Sequence, residues 1–268
     1  MLAVLLIIVS FYLVFTQNSY QRSVYLSSAN RVSAELYRLS GKVNSYFYMQ
    51  KNNNELLEQN AKLQSELYAL KSYLNDLALD SIQTNSFVSD SMVTAQFRFI
   101  PSNVVNISFF GSNNYITLDK GLQDGVKADM GVVSQNGIVG VVLAVSDHFS
   151  VVIPIVNPKF RLSGKLKNSD NSGSIVWDGK DLHYAQLEQL PKHEVFREGD
   201  TVVTSFSRIF PKDMVIGYVV GQGKTKDDNF NAFKIRLATN FYSLQHVFVI
   251  EDVYYEEESI LEQSVEQQ

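Results

Sequence analysis

Cysteine is absent from this chain of 268 residues, which excludes disulfide frameworks, thiolate zinc sites and cysteine nucleophiles and fits any compartment. Also missing is a basic stripe. Asp and Glu (28) outnumber Lys and Arg (23), the net charge is −5 and the pI is near 5.4, so nothing gives the electrostatic footprint of a nucleic-acid binder. The four histidines, His148, His183, His193 and His246, show neither HxH nor HExxH spacing, and no metal is expected. No phosphate loop or dinucleotide fingerprint occurs, so no cofactor is expected either. A serine nucleophile needs a histidine oriented by a buried carboxylate and a glycine-rich turn around the serine. Asn171-Ser172-Gly173 lacks that surround, and His148 follows Asp147 in an ordinary loop. Asp178 and Asp181 around Gly179, and Asp227-Asp228 before Asn229, read as turn formers rather than a carboxylate dyad. Trp177 and Phe109-Phe110 read as core, embedded in strand-like runs.

Charge is missing from the first stretch altogether, since no charged side chain precedes Arg22. Met1–Phe15 is almost purely apolar, and residues 1–17 are expected to form a membrane anchor. Fifteen helical residues span only ~22 Å of a ~30 Å hydrocarbon core, so the segment as written is marginal. A cleaved signal peptide is the alternative, but a basic flank and a prompt small-x-small site are both missing. Arg22, Arg31 and Arg38 follow the segment, which alone would place the body in the cytoplasm. A start upstream, carrying a basic flank and more apolar helix, would reconcile these signs.

What the chain does have is a heptad run. With Asn60 at a, Asn53, Leu67 and Leu74 also fall at a, and Leu56, Leu63, Leu70 and Leu77 fall at d. Glu66 at g and Lys71 at the next e match the pairing of a parallel partner. A coiled coil over residues 28–81 that dimerises the chain is expected, because amides at a fix register and strand number. A single helix packed on its own domain is the alternative. Val32, Leu36, Leu39, Val43 and Tyr46 keep helical spacing, but joining Met49 puts two three-residue steps together, a stammer that weakens the first half. Residues 82–91 are polar and read as a hinge.

Beyond the hinge the period becomes alternating. Short runs rich in Val, Ile, Phe and Tyr recur between Gly, Asn, Asp and Pro: 93–100, 104–109, 115–118, 131–134, 137–145, 151–156, 162–166, 174–177, 183–190, 201–204, 214–222, 232–239 and 247–252. Thirteen such runs point to a sandwich or barrel. The length suits two small closed sheets, expected over 92–158 and 159–252, with terminal strands able to exchange between them. Glu256, Glu257 and Glu258 open an acidic tail, 253–268, with little to bury and an expectation of disorder.

Leu118-Asp119-Lys120-Gly121-Leu122-Gln123-Asp124-Gly125-Val126 supplies two glycines at chain reversals, both expected at positive φ, and an Asp able to cap its own backbone. With Asn136-Gly137-Ile138-Val139-Gly140, Gly199-Asp200-Thr201-Val202-Val203-Thr204-Ser205, and Ile209-Phe210-Pro211-Lys212 leading to Ile216-Gly217, this order of motifs resembles the cell-shape-determining MreC family. The resemblance implies a single-pass protein of the bacterial inner membrane with a periplasmic coiled coil and a two-barrel body. It also implies a non-catalytic scaffold for lateral peptidoglycan synthesis. The implied partners are MreB, MreD, and the peptidoglycan glycosyltransferase and penicillin-binding transpeptidase of the elongation complex, with filaments as an extension of the dimer. Asp119, Lys120, Gly121, Asp124, Gly125, Gly137, Gly140, Gly199, Asp200, Pro211 and Gly217 are the family's structural turns in this reading. Ala128-Asp129 stands where the family often has Pro-Gly, and Phe206 where Gly is usual. A periplasmic efflux or secretion adaptor is the structural rival, but its helical hairpin would be flanked by halves of a lipoyl-like domain, whereas here one helical run precedes all strands. A chymotrypsin-like double-barrel protease is the enzymatic rival.

Overall fold

A computed structural model describes residues 2–17, 49–74, 96–109, 113–205, 207–225 and 229–255. Met1–Leu56 and Leu57–Gln268 form separate compact units. In the first unit, α1 (Leu2–Gln17) is a 16-residue helix of largely apolar sequence with no charged residue. At 1.5 Å per residue it is about 24 Å long. Among the described residues no helix is long and apolar enough to cross a membrane. A second helix, α2, covers 49–74 and crosses into the second unit. Residues 28–48 and 75–81 of the expected coil, Leu77 with them, and the expected hinge at 82–91 lie outside the described residues.

The body of the second unit is all-β. Its strands are β1 (Phe97–Ser108), β2 (Tyr115–Leu118), β3 (Gly131–Val133), β4 (Ile138–Val145), β5 (Ser150–Pro154), β6 (Leu162–Leu166), β7 (Ser172–Val176), β8 (Tyr184–Pro191), β9 (Thr201–Thr204), β10 (Val215–Gln222), β11 (Phe230–Leu237) and β12 (His246–Asp252). They close two barrels, ordered β1-β12-β3-β4-β5-β2 and β10-β11-β8-β7-β6-β9. One expectation needs correcting. Residues 97–100 and 104–108 of the runs 93–100 and 104–109 lie in one strand, β1, which continues through Pro101. Over 97–103 that strand pairs only with β12, and β2 joins from Val104 onward, so Pro101 has the edge-like setting in which a missing N–H is admitted. β12, which falls at the end of the range 159–252, returns to pair with β1 and β3 in the first barrel, an exchange of a terminal strand between the two.

Alternation builds both cores. In β8, Ala185, Leu187 and Leu190 are buried while Tyr184, Gln186 and Glu188 face outward, and in β11 Phe233, Ile235 and Leu237 point in between Lys234 and Arg236. β12 breaks the pattern: Val247, Phe248, Val249 and Ile250 are all buried, as expected for a strand covered on both faces. Its place among the first barrel's strands is therefore also a seat against other parts of the fold.

The barrels meet over small residues. Backbone and ring atoms of Ile209 and Phe210 lie 2.8 Å from where a Cβ on Gly131 would sit, and Val215 O is equally close to that position on Gly137. Thr239 Oγ1, next to β11, donates to Ile138 O at 2.9 Å and lies 2.9 Å from Ser134 Oγ. A larger side chain at either glycine would push the β3–β4 hairpin off the second barrel.

Candidate functional site

α2 carries two apolar faces with different fates. Leu57 and Ala61 are buried in the core, and the Tyr68 ring stacks on Phe99 of β1 at 5.7 Å and 23°. Burial, and then the charge of Asp213, push the Tyr68 hydroxyl up to about 12. The helix thus packs on its own domain, as the alternative reading had it, but through e and b positions of the heptad. At a and d, Leu56, Leu63, Leu67, Leu70 and Leu74 remain 48–60% exposed. Asn60 is half-buried and Asn53 exposed. Glu66 lies 3.9 Å from Lys62 within the helix, and Lys71 Nζ sits 5.0 Å over the Tyr68 ring. The second face escaped the sequence reading because Leu57 and Tyr68 stand directly beside the heptad leucines Leu56 and Leu67, and Ala61 is a weak apolar signal. Their spacing of four and seven was the available signal.

The motif residues hold turns and close approaches. Asp119 ends β2: its Oδ1 accepts from Asn103 N (2.7 Å) and Ser102 Oγ (3.0 Å), and its Oδ2 accepts from Asn103 Nδ2 (2.7 Å). Asn103 Oδ1 in turn contacts His246 Nδ1 at 2.8 Å, so the carboxylate joins β2, β1 and β12 where the β1–β2 register shifts. Asp124 accepts from Lys120 Nζ (2.7 Å) and from Gly121 N (3.2 Å). The Lys120 bond, above all, holds its carboxyl below the usual carboxylate range. Gly125 has φ 89°, but Gly121 has φ −137°, so the expected positive φ at Gly121 is wrong. What Gly121 lacks is room, because a Cβ there would run into the backbone carbonyls of Ser146 and Asp147. Gly140 and Gly217 face the same obstacle from Ile153 O and Arg236 O, and Gly199 has φ 91°. Asp200 Oδ2 accepts from Arg197 N at 2.8 Å. Thr204 Oγ1 donates to Pro211 O (2.8 Å) and accepts from Met214 N (2.9 Å), tying off the β9–β10 loop. At the Ala128-Asp129 departure, Asp129 takes φ 65°, a left-handed position that aspartate tolerates. Phe206 lies outside the described residues.

The chemical candidates remain scattered. Asp181 Oδ1 accepts from His183 N (2.9 Å) and contacts His183 Nδ1 (3.0 Å) on an exposed turn, while Asp178 Oδ1 accepts from Lys180 N. His183 N–H is the first cause of the lowered Asp181 pKa. Trp177 is buried and donates Nε1–H to Asp181 O at 2.8 Å. Phe109 meets Phe241 edge-on at 6.1 Å. His246 is half-buried. Asp227-Asp228 and Phe110 lie outside the described residues. Among the described residues no group of three or more His, Cys, Asp or Glu is placed to hold a metal ion. The geometry offers surfaces and seams for packing.

With two closed barrels, a helix docked on the first and these turns in place, comparison with known proteins decides the family. Residues 104–251 match the model for "Rod shape-determining protein MreC, barrel core". That range is more than half of the chain. The chain belongs to the MreC family. It is 29% identical over 201 residues to the cell shape-determining protein MreC of Listeria monocytogenes, covering 73% of this chain and 65% of that protein, so it spans about two thirds of that relative's length. A solved structure of MreC from Listeria monocytogenes superposes with TM-score 0.57 at 28% identity, covering 74% of this chain and 93% of the other. MreC from Pseudomonas aeruginosa superposes with TM-score 0.52 at 18% identity over 57% of this chain and 98% of the other, a likeness of fold.

Proposed function

We propose that this chain is a non-catalytic scaffold of the cell-elongation machinery, held at the inner membrane by residues 1–17 with its body in the periplasm, and paired through the a and d positions of α2. Membership of the MreC family supports the part in cell shape, and the strongly apolar, charge-free sequence of α1 supports the anchor. MreB, MreD, the peptidoglycan glycosyltransferase and the penicillin-binding transpeptidase are the partners this reading carries, with filaments built from dimers. The body organises these enzymes by presenting strand edges and apolar patches to them.

The observation that carries the pairing is the leucine seam left exposed on a helix whose other side is already docked. Full burial of a leucine is worth about 1.5–3 kcal/mol. Half-exposed residues gain roughly half of that, so the leucines at 63, 67, 70 and 74 on two helices together yield a sum comparable to the association cost of about 4–15 kcal/mol. Pairing therefore needs nearly the whole seam. In rod-shaped cells depleted of their own family member, this chain should restore rods, and Leu67→Glu at equal chain level should not. Rods restored equally by both would contradict the pairing; rods restored by neither would contradict the role.

A further inference from the structure

β1 is 12 residues long and β2 only 4, so β1 overhangs its neighbour and pairs with β12 alone from Phe97 to Asn103. Gln96 O and Val104 N bond to Val253 N and Gln245 O on the β12 side, whereas Asn103 N and O bond to Asp119 on the other. Bonding groups alternate between the two edges of a strand, so those of Phe97, Phe99 and Pro101 face away from β12. Proline suits that edge, having no N–H to leave unpaired. Among the described residues nothing bonds the Phe99 N–H or C=O, although Phe99 is only 4% exposed. Buried backbone groups are nearly always paired. This edge therefore calls for a partner.

A cleft of about 450 Å³ lies against it. All of the lining residues belong to α2 or β1 and none to β12, which puts the cleft on the open side. Its roof is a row of small side chains, Ala61, Ser65 and Ala69, spaced by four along α2, with Ser65 Oγ turned back onto Ala61 O at 3.1 Å. Small residues leave the room that a backbone needs, since an added strand lies ~4.8 Å from its neighbour. Phe97 to Pro101 covers ~13 Å of strand, and Glu58 to Ala69 ~17 Å of helix. Lys62 lies 3.9 Å from Glu66 and Arg98 2.6 Å from Glu251, so Glu58 is the unbalanced charge at the rim.

We propose that this cleft takes an extended peptide segment of a partner protein, added as a strand to the open edge of β1 beneath α2, with a lysine or arginine set against Glu58. Main-chain bonds to Phe97, Phe99 and Pro101 supply affinity, and the roof and Glu58 supply selectivity. A second copy does not fit, because each edge lies under its own α2 and the roof admits a single chain rather than another barrel. That the segment belongs to a protein which the body organises rests on the scaffold reading above.

The probe is a capped heptapeptide alternating valine with lysine, titrated by fluorescence anisotropy into the full-length protein in detergent micelles. An added strand bonds through every second amide, so N-methylation of one alternate set should weaken binding about tenfold, and methylation of the other set less than about twofold. Ser65→Leu fills the roof and should also weaken binding about tenfold, with the alkaline titration of Tyr68 unmoved because α2 stays docked. Glu58→Lys should shift preference to the peptide with glutamate in place of lysine. Without any substitution, the peptide should slow hydrogen exchange at the Phe97 and Phe99 amides and leave that at Phe241 unchanged. No binding, equal effects of the two methylated sets, or unchanged exchange at Phe99 would each overturn the proposal. A fall in dimer mass on Ser65→Leu would overturn it too, by giving the edge to a second copy. Leu67→Glu, which breaks the seam, should leave peptide binding intact, and none of these readouts involves cell shape, so failure here is distinct from failure of the pairing or of the scaffold role.

Discussion

Gly121 and Gly125 bracket the same 3₁₀ turn, and each is required for a different reason. At Gly125 the backbone itself is left-handed, so Gly125→Ala should cost about 1–2 kcal/mol. At Gly121 the backbone is extended and the obstacle is the Ser146–Asp147 carbonyls. Relieving that clash means moving a neighbouring loop, and Gly121→Ala should cost at least as much, roughly 1–3 kcal/mol. Thermal unfolding checks both, and a Gly121→Ala chain that melts like the parent would show that the loop gives way freely. The sequence pattern marked both residues as turn glycines. It could not separate the two causes, because the atoms that crowd Gly121 come from a loop far along the chain. Asp124, in the same turn, makes a pH prediction. Its folded-state pKa is lowered, chiefly by Lys120, so its contribution is present above the unfolded value near 3.9 and is lost as pH falls through the lower folded value. Lys120→Ala should move the Asp124 carboxyl titration, followed by NMR, to higher pH; a titration left in place would deny Lys120 that role.

At the scale of the element, α2 couples the body to whatever lies along its leucine seam. The heptad pattern was legible because it is regular and rich in leucine, whereas the barrel-facing residues were not, since Leu57, Ala61 and Tyr68, although spaced four and seven apart, are too few and too mixed to stand out beside it. Tyr68 gives this docking a pH signature. Its folded-state pKa is raised to about 12 from an ordinary value near 10. The docked helix therefore keeps its full stability below pH ~10 and loses part of it between ~10 and ~12, as the undocked tyrosine ionises first. Tyr68→Phe should abolish that loss in alkaline unfolding followed by circular dichroism, and the same loss in the variant would place its cause elsewhere. On the open face, Asn60 in a paired seam is satisfied only by its own copy, and leaving it unpaired costs ~1–3 kcal/mol. Asn60→Leu should accordingly strengthen association while broadening the range of oligomers.

For the whole molecule, the strands were largely visible as alternating runs, since half-buried barrel strands must alternate. Their order was not visible. Nothing local to residues 246–252 says that they pair with β1 and β3 rather than with neighbours in sequence, because that choice rests on contacts between the two ends of the body. The chain reversals at Asp119–Gly125 and Gly199–Asp200 were legible in composition, and the seam over Gly131 and Gly137 was not. The central claim, that the exposed side of α2 pairs two copies of this two-barrel body, is tested most directly by sedimentation equilibrium of the chain from residue 49 onward. The account predicts a dimer mass that falls to the monomer with Leu67→Glu; a monomer in the parent chain, or a dimer that survives the substitution, would contradict it.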